Sequence, residues 1–258
     1  MRVGLIGLGA IGMGVTRLAR ESATAHIDIV GALVRDIASP RAPDAPPAVA
    51  TLAALLALDP EVVVEGAGHE ALRLHGPAIL RAGRDLIALA VGALADPVFV
   101  DELRAAAVEG HSRLRIASGA IAGLDAIAAA ATGGLSSVTH TIRKPARTLL
   151  GDDAATLTEA RELYRGTARV GVGRFPESAN VVAAVSLAGL GLDRTEMRVV
   201  ADPAADRNEH VVEVEGHFGS LRIEVRNIPS DENPRTGRLT AMSAFRALLA
   251  RQETIAIG

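Results

Sequence analysis

The stretch VGLIGLGAIGMGVTRL, residues 3–18, narrows the fold more than any other part of the chain. Val3 to Ile6 read as a buried strand, Gly7-x-Gly9-x-x-Gly12 follows, and Ile11, Val15, Leu18 and Ala19 then recur at helical spacing. Any strand-to-helix junction can use glycines, but in this order the three have separate tasks. The first makes a tight turn, the second lets backbone approach a pyrophosphate, and the third lets helix and strand pack closely. The helix N-terminus adds unpaired N–H groups and the positive end of a dipole. The segment predicts a dinucleotide cradle with Gly7, Gly9, Ala10, Ile11 and Gly12 as its contacts.

The next hundred residues continue the pattern. HIDIVGALV (26–34) is a second strand, LAALLAL (52–58) a short helix, EVVVEGA (61–67) a strand and EALRLHGPAILRAG (70–83) a helix stopped by glycine. DLIALAVGALAD (85–96), a helix near 98–109 and SRLRIASGAIAG (112–123) follow. Strands alternating with helices at these lengths predict a doubly wound, mostly parallel sheet, which binds its ligand beyond the carboxyl ends of the strands. Three small-residue loops lie there, EGAGH (65–69), VGALAD (91–96) and ASGAIAG (117–123), so backbone near Ala67 can approach a flat ring. At the end of the second strand a carboxylate holds ribose hydroxyls and an arginine accommodates a 2′-phosphate. LVRDIASPR (33–41) offers both, Arg35 and Asp36, which points to NAD or NADP with a mixed or NADP-leaning preference. SPRAPDAPP (39–47) is an exposed loop.

Composition excludes several classes. A net charge of -3 gives no electrostatic case for nucleic acid or an anionic membrane. Zero cysteines exclude disulfides and thiolate metal sites, and no histidine pair has metal-ligand spacing, so no metal is expected. The first strand begins at once, leaving no room for a signal peptide, and no apolar run is long enough to cross a bilayer, so a cytoplasmic protein is expected. With aromatics at only 2%, the core must be built from Ala, Val, Leu and Ile.

Past about residue 123 the pattern changes to period-two alternation, in SSVTHTIRKPA (136–146), MRVVADPA (197–204) and HVVEVEGHFGSLRIEVRNIP (210–229), which predicts an antiparallel or mixed sheet. DAATLTEARELYRGTA (153–168) and SANVVAAVSLAGLGL (178–192) are helical in pattern, as is LTAMSAFRALLARQ (239–252). The expected division is a dinucleotide-binding domain over 1–120, a substrate domain over 121–235, and a C-terminal helix over 236–258 packing back on the first domain.

GLGAIG, HGPAILRAGRDLIALAVGALAD, SGAIAGLDA, IRKPA, GTARVGVGRFPESANVVAAVSLAGLGLDRT, ADPAADRNEH and NPRTGRLTAMS occur in order along nearly the whole chain. Together they resemble the L-aspartate dehydrogenase family. The resemblance implies an α/β protein, an N-terminal Rossmann domain with a second α+β substrate and dimerisation domain, assembled as a homodimer. It implies NAD(P)-dependent oxidative deamination of L-aspartate to iminoaspartate, which hydrolyses to oxaloacetate and ammonia; the reverse is reductive amination. In the family the iminoaspartate feeds NAD biosynthesis through quinolinate synthase. Carried over by motif, Ala120 and Asn180 match cofactor-binding positions and His210 the catalytic histidine.

The residues themselves allow that role for His210. In an extended segment Asn208 and His210 share a side, and an imidazole titrates near working pH, so it can take a proton from water attacking an iminium carbon. A dicarboxylate substrate needs cationic anchors: Lys144 first, Arg143 and Arg235 behind it. Ser118 serves either the substrate or its own turn, and His69 either the nicotinamide or a helix start. Three positions depart from the family pattern: Ser178 stands where asparagine is usual, Ala90 where serine opens the loop, and Arg235 lies where lysine and serine are usual. They bear on substrate identity more than on reaction class. The alternatives are a Rossmann reductase for another keto acid or imine, and a dinucleotide-sensing module without turnover.

Overall fold

The computed structural model describes residues 1–23, 25–230, 233 and 236–255. The chain divides into two compact units, one holding Met1–Gly119 and the chain from Thr240 on, the other Ala120–Ser230 with Gly237–Leu239.

The first unit contains β1 (Arg2–Ile6), α1 (Ala10–Glu21), β2 (Asp28–Leu33), β3 (Ala48–Val49), α2 (Leu52–Ala57) and β4 (Val62–Glu65). After them come α3 (His69–Arg81), β5 (Asp85–Ala88), α4 (Pro97–Glu109) and β6 (Leu114–Ile116). Its six strands run in the order β3-β2-β1-β4-β5-β6, every pair parallel. The order reverses direction beside β1, and this switch point sets the glycine turn at the carboxyl edge of the sheet. Parallel central strands are covered on both faces, so they read as unbroken apolar runs rather than alternating ones. Val62, Val63 and Val64 of β4 are all buried.

The second unit contains α5 (Leu124–Thr132), β7 (Leu135–Pro145), α6 (Ala146–Leu150), β8 (Arg161–Thr167), α7 (Ala168–Arg174) and α8 (Ala179–Ala188). It continues with β9 (Glu196–Asp202), β10 (Glu209–Gly216) and β11 (Gly219–Arg226). Its five strands run β11-β10-β7-β9-β8, with β7 and β9 parallel and the other pairs antiparallel. On β7 burial alternates, with Val138, His140, Ile142 and Lys144 facing inward. Ile121, Ile127 of α5 and Val185 of α8 cover that face, packing with Val138, Val212 and Val214.

The last helix, α9 (Arg238–Leu249), contributes Ala244, Phe245, Ala247 and Leu248 to the core that holds Val3, Leu5 and Val15. A methyl on Gly14 of α1 would stand 2.7 Å from the Ala241 Cβ, so the glycine permits close contact between these helices.

The helix expected over 153–168 does not form. Residues Gly151–Thr156 make a short 3-10 turn, and RELYRGT is the edge strand β8, antiparallel to β9. Glu, Arg and Leu favour helix locally, but the chain here buries Tyr164, whose hydroxyl donates to the Thr167 carbonyl at 2.7 Å. Gly166 lies under that ring, where a Cβ would be 2.6 Å from the hydroxyl oxygen. Pairing along an open edge outweighs a propensity of a few tenths of a kcal/mol per residue, ~0.5 at most. Among the described residues no helix is long and apolar enough to cross a membrane.

Candidate active site

In the first unit the glycine turn has the shape a pyrophosphate requires. Gly7 has φ +90°, a conformation that side chains disfavour, and its N–H donates to the Leu33 carbonyl at 2.9 Å. A Cβ on Gly12 would fall 2.2 Å from the Gly7 carbonyl oxygen, so α1 can start this close to β1 only without a side chain. Gly9 is different: a Cβ there would meet nothing within 4 Å. Nothing within the fold demands a glycine at that spot, and bare backbone faces open space there.

Gly9 caps α1 without a side-chain hydrogen bond, and the first turn carries no acidic residue. The N–H groups of Ala10, Ile11 and Gly12 therefore point outward without intrahelical partners. A dinucleotide fits this cradle. Ala67 borders the same turn, its Cβ 3.0 Å from where a Gly7 side chain would begin.

Sequence reasoning missed the residue that holds this edge together. Glu65, the last residue of β4, is fully buried and accepts four backbone N–H groups. One oxygen takes Ala67 and Gly68, each at 2.8 Å; the other takes Leu89 at 3.3 Å and Ala90 at 3.0 Å. The carboxylate thus ties the loop after β4 to the loop after β5. Its sequence signal is a lone acidic residue closing the apolar run VVVE. Ala90, one of the departures from the family pattern, has its side chain buried and its N–H held by Glu65. The loop after it, expected to offer open backbone, is a 3-10 turn with Val91, Ala93 and Leu94 buried.

Arg35 and Asp36 follow β2, both exposed. Asp36 is already engaged: it accepts from Ala38 N at 2.9 Å and Ser39 Oγ at 2.6 Å, and these bonds, the hydroxyl's foremost, lower its pKa. Arg35 makes no hydrogen bond or ion pair among the described residues. Ser118 sits in the turn after β6, where the next N–H, of Gly119, donates to Ser243 Oγ at 2.9 Å. His69 is the first residue of α3.

In the second unit His210 and Lys144 face the same side of the sheet. His210 opposes Ile142 in register, and Lys144 lies two residues further along β7. Both are buried, and burial first, then the Lys144 charge, lowers the His210 pKa to about 4. Its imidazole is neutral at pH 7. Lys144 Nζ is 3.2 Å from Glu177 Oε1, just before α8, whose first turn carries Asn180 on its exposed side. Ser178 is buried in the turn between them.

His210 also has a partner that sequence spacing did not show. Its Nδ1 lies 3.2 Å from Nε2 of His140, two residues before Ile142 on β7 and fully buried. His140 is held well below the ordinary histidine pKa, by burial and then by the nearby His210. Among the described residues two buried side-chain atoms lack a hydrogen-bond partner, Nδ1 of His140 and Oγ of Ser186 on α8.

Asn208 and Ala120 are tied to one another through Asn227. The Asn227 N–H donates to the Asn208 carbonyl at 3.0 Å, and its side-chain amide to the Ala120 carbonyl at 2.8 Å. Arg143 does not share the face of His210 and Lys144: it lies on the other side of the sheet, bonded to Asp202 at 2.6 Å and near Glu209 at 3.6 Å. Alternation along β7 sends neighbours to opposite faces, so Arg143 and Lys144 cannot both meet one ligand from this strand. Arg226 and Arg207 pair with Asp206 alongside, and this network holds the 203–208 loop that leads into His210. Arg235 lies outside the described residues.

A parallel sheet with a bare glycine turn and a mixed-sheet unit with a buried, neutral histidine define the class: a Rossmann NAD(P)-binding oxidoreductase. Residues 7–117 match the family model described as homoserine dehydrogenase, NAD binding domain, and residues 125–251 that described as aspartate dehydrogenase, C-terminal. The chain belongs to the L-aspartate dehydrogenase family. It is 41% identical to the L-aspartate dehydrogenase of Cupriavidus necator over the full length of both proteins. It is also 41% identical to that of Pseudomonas aeruginosa, again covering 100% of each. The crystal structure of aspartate dehydrogenase from Thermotoga maritima superimposes with a TM-score of 0.83 at 26% identity, covering 100% of this chain and 99% of that one.

Proposed function

We propose that this chain catalyses the reversible NAD(P)-dependent oxidative deamination of L-aspartate to oxaloacetate and ammonia, with His210 as its acid–base residue. The observation that carries the reading is the neutral, buried imidazole beside a buried lysine, in a chain of this family. NAD(P) held at the glycine turn would supply the hydride acceptor for oxidation at the substrate Cα to the imine; everything else falls to the protein. The N–H groups of Ala10, Ile11 and Gly12 hold the pyrophosphate, and Ala67, Ala120 and Asn180 border the cofactor. Arg35 and Asp36 are the residues at the adenosine ribose. Lys144, with Asn208 and Ser118, receives substrate carboxylate.

His210 Nε2, the ring nitrogen turned away from His140, takes a proton from the water that adds to the imine carbon. It returns the proton to the departing amine. A pKa of about 4 keeps the lone pair available at neutral pH. Because the Lys144 charge helps depress that pKa, a substrate carboxylate settling on Lys144 raises it, bringing the base closer to the pH at which it must hold and release a proton.

The same reading assigns a homodimer in the cytoplasm, which light scattering of the purified protein and fractionation of cells check. The test of His210 is His210→Asn. Its kcat in both directions should fall on the order of 1,000-fold, within the range that acid–base catalysis supplies, while the NADPH dissociation constant by fluorescence titration stays within about twofold. Retained kcat removes His210 from the mechanism.

A further inference from the structure

Beyond the active site so far described, one buried titratable side chain has no assigned task. His140 is fully buried on the inward face of β7, flanked along the strand by Val138 and Ile142 and opposed by Val212 of β10 and Met197 of β9. It makes a single side-chain hydrogen bond, to His210, and its Nδ1 has no partner among the described residues. A buried polar atom without a partner costs stability, and an aliphatic side chain of similar size would avoid the cost. Packing therefore does not account for a histidine at this position. Its geometry toward His210 does.

A neutral imidazole carries one N–H and one lone pair, so the 3.2 Å contact has two tautomeric forms. If His140 Nε2–H donates to His210 Nδ1, then His210 turns an N–H outward at Nε2 and cannot take a proton there. If His210 Nδ1–H donates to His140 Nε2, the outward Nε2 of His210 carries a lone pair. Only the second form is a base.

We propose that His140 is a positioning residue which, by accepting the Nδ1 proton of His210 at its own Nε2, fixes the ring and tautomer in which His210 Nε2 acts on the substrate. This form leaves the His140 proton on Nδ1, a buried atom without a partner among the described residues. The fold thus carries a buried N–H that serves the neighbouring base and not its own packing. The same hydrogen bond holds the imidazolium once His210 is protonated.

The groups around the pair leave few competitors for this role. On the shared face β9 presents Met197 and Val199 and β11 presents Ile223 and Val225, all apolar. The charged groups on this side are Lys144 and its partner Glu177. None of them but Lys144 touches the electrostatics of His210 by charge, and Lys144 acts in the opposite sense, disfavouring the imidazolium.

The proposal rests on His210 being the acid–base residue, and the experiment separates the two. Histidine ring nitrogens of 15N-labelled protein are assigned with His140→Gln and His210→Asn, and read at pH 7 with kcat, KM and melting temperature of His140→Leu and His140→Gln. The expected spectrum has a protonated Nδ1 and an unprotonated Nε2 on His210. The expected His140→Leu enzyme melts no lower than the parent, keeps KM within about threefold and loses kcat on the order of 100-fold, as a misplaced catalytic group does. His140→Gln, whose amide oxygen can accept the same proton, recovers at least tenfold of that loss, roughly. A protonated Nε2 on His210, or kcat unchanged in His140→Leu, overturns the role of His140. A melting temperature that falls in both variants with kcat lost equally in both also overturns it, since that is a packing residue. If His210→Asn retains its kcat, the parent reading has failed instead.

Discussion

Removing the Glu65 carboxylate tests how the dinucleotide edge is built. In Glu65→Gln one oxygen remains to accept a pair of N–H groups, and the amide NH2 confronts the other pair as donor against donor. The pairs are not equivalent: Leu89 and Ala90 are buried, whereas Ala67 is exposed. The amide should therefore turn its oxygen to Leu89 and Ala90 and leave Ala67 and Gly68 to water. The loss is two hydrogen bonds to a charged-type acceptor with partial repayment by solvent, about 2 kcal/mol. Glu65→Leu leaves Leu89 and Ala90 dry and unpaired, and at about 1–3 kcal/mol for each buried N–H it should lose about 4 kcal/mol or more. For a protein of this size the glutamine variant should melt about 4–8 °C lower. Thermal unfolding by circular dichroism reads these numbers. Because the loosened loop adjoins Gly7, NADPH affinity by fluorescence titration should fall about tenfold, an energy of about 1.4 kcal/mol. The reasoning fails if the leucine variant melts within a degree or so, roughly, of the parent, or if glutamine proves the more damaging of the two.

Gly9→Ala and Gly12→Ala should separate fold from ligand: a methyl on Gly9 meets open space and one on Gly12 meets the Gly7 carbonyl. The first should keep its melting temperature and lose NADPH affinity, the second should lose both, and equal behaviour of the pair in the same two assays contradicts the cradle. His210 sits at about 4 in the folded state against 6.5 in an open chain, so the unfolded state gains a proton first as pH falls. Stability is present above about pH 6.5 and is lost down to about pH 4, about 3 kcal/mol from this group, with buried His140 adding in the same direction. Urea unfolding at pH 7 and pH 4.5 should show a smaller drop in His210→Phe than in the parent; equal drops refute it. Because Asp36 is bound within its own loop while Arg35 has no partner among the described residues, Arg35→Ala should weaken NADPH several-fold more than NADH in isothermal titration. Equal weakening would remove Arg35 from the 2′-phosphate.

The first unit is legible because its signals are local and agree. The glycine spacing, the apolar run of β1 and the carboxylate or arginine after β2 all lie within the first 36 residues and point to one topology. Glu65 escapes because a single acidic residue after three valines reads as the end of a strand. Its meaning depends on Leu89 and Ala90, more than 20 residues away in sequence. The helical composition around Tyr164 misleads for a related reason: the partner that makes β8 a strand is β9, over 30 residues further on. His140 is the hardest to read. Its partner lies 70 residues away, and only the register of β7 against β10 brings them together. His210 becomes legible through the family resemblance and not through its spacing, since an isolated histidine near a strand start is most often surface or filler.

The most direct test of the central claim is oxidation of NADH and NADPH by the purified protein with oxaloacetate and ammonia, beside pyruvate, 2-oxoglutarate and a cyclic imine, with the product amino acid identified by chiral chromatography. The account predicts turnover with oxaloacetate well above the others, L-aspartate as product, and its loss in His210→Asn. Oxidation driven by another keto acid or imine while oxaloacetate stays inert would contradict it, and Ser178 and Ala90 would then be the first positions to exchange for the family's usual residues.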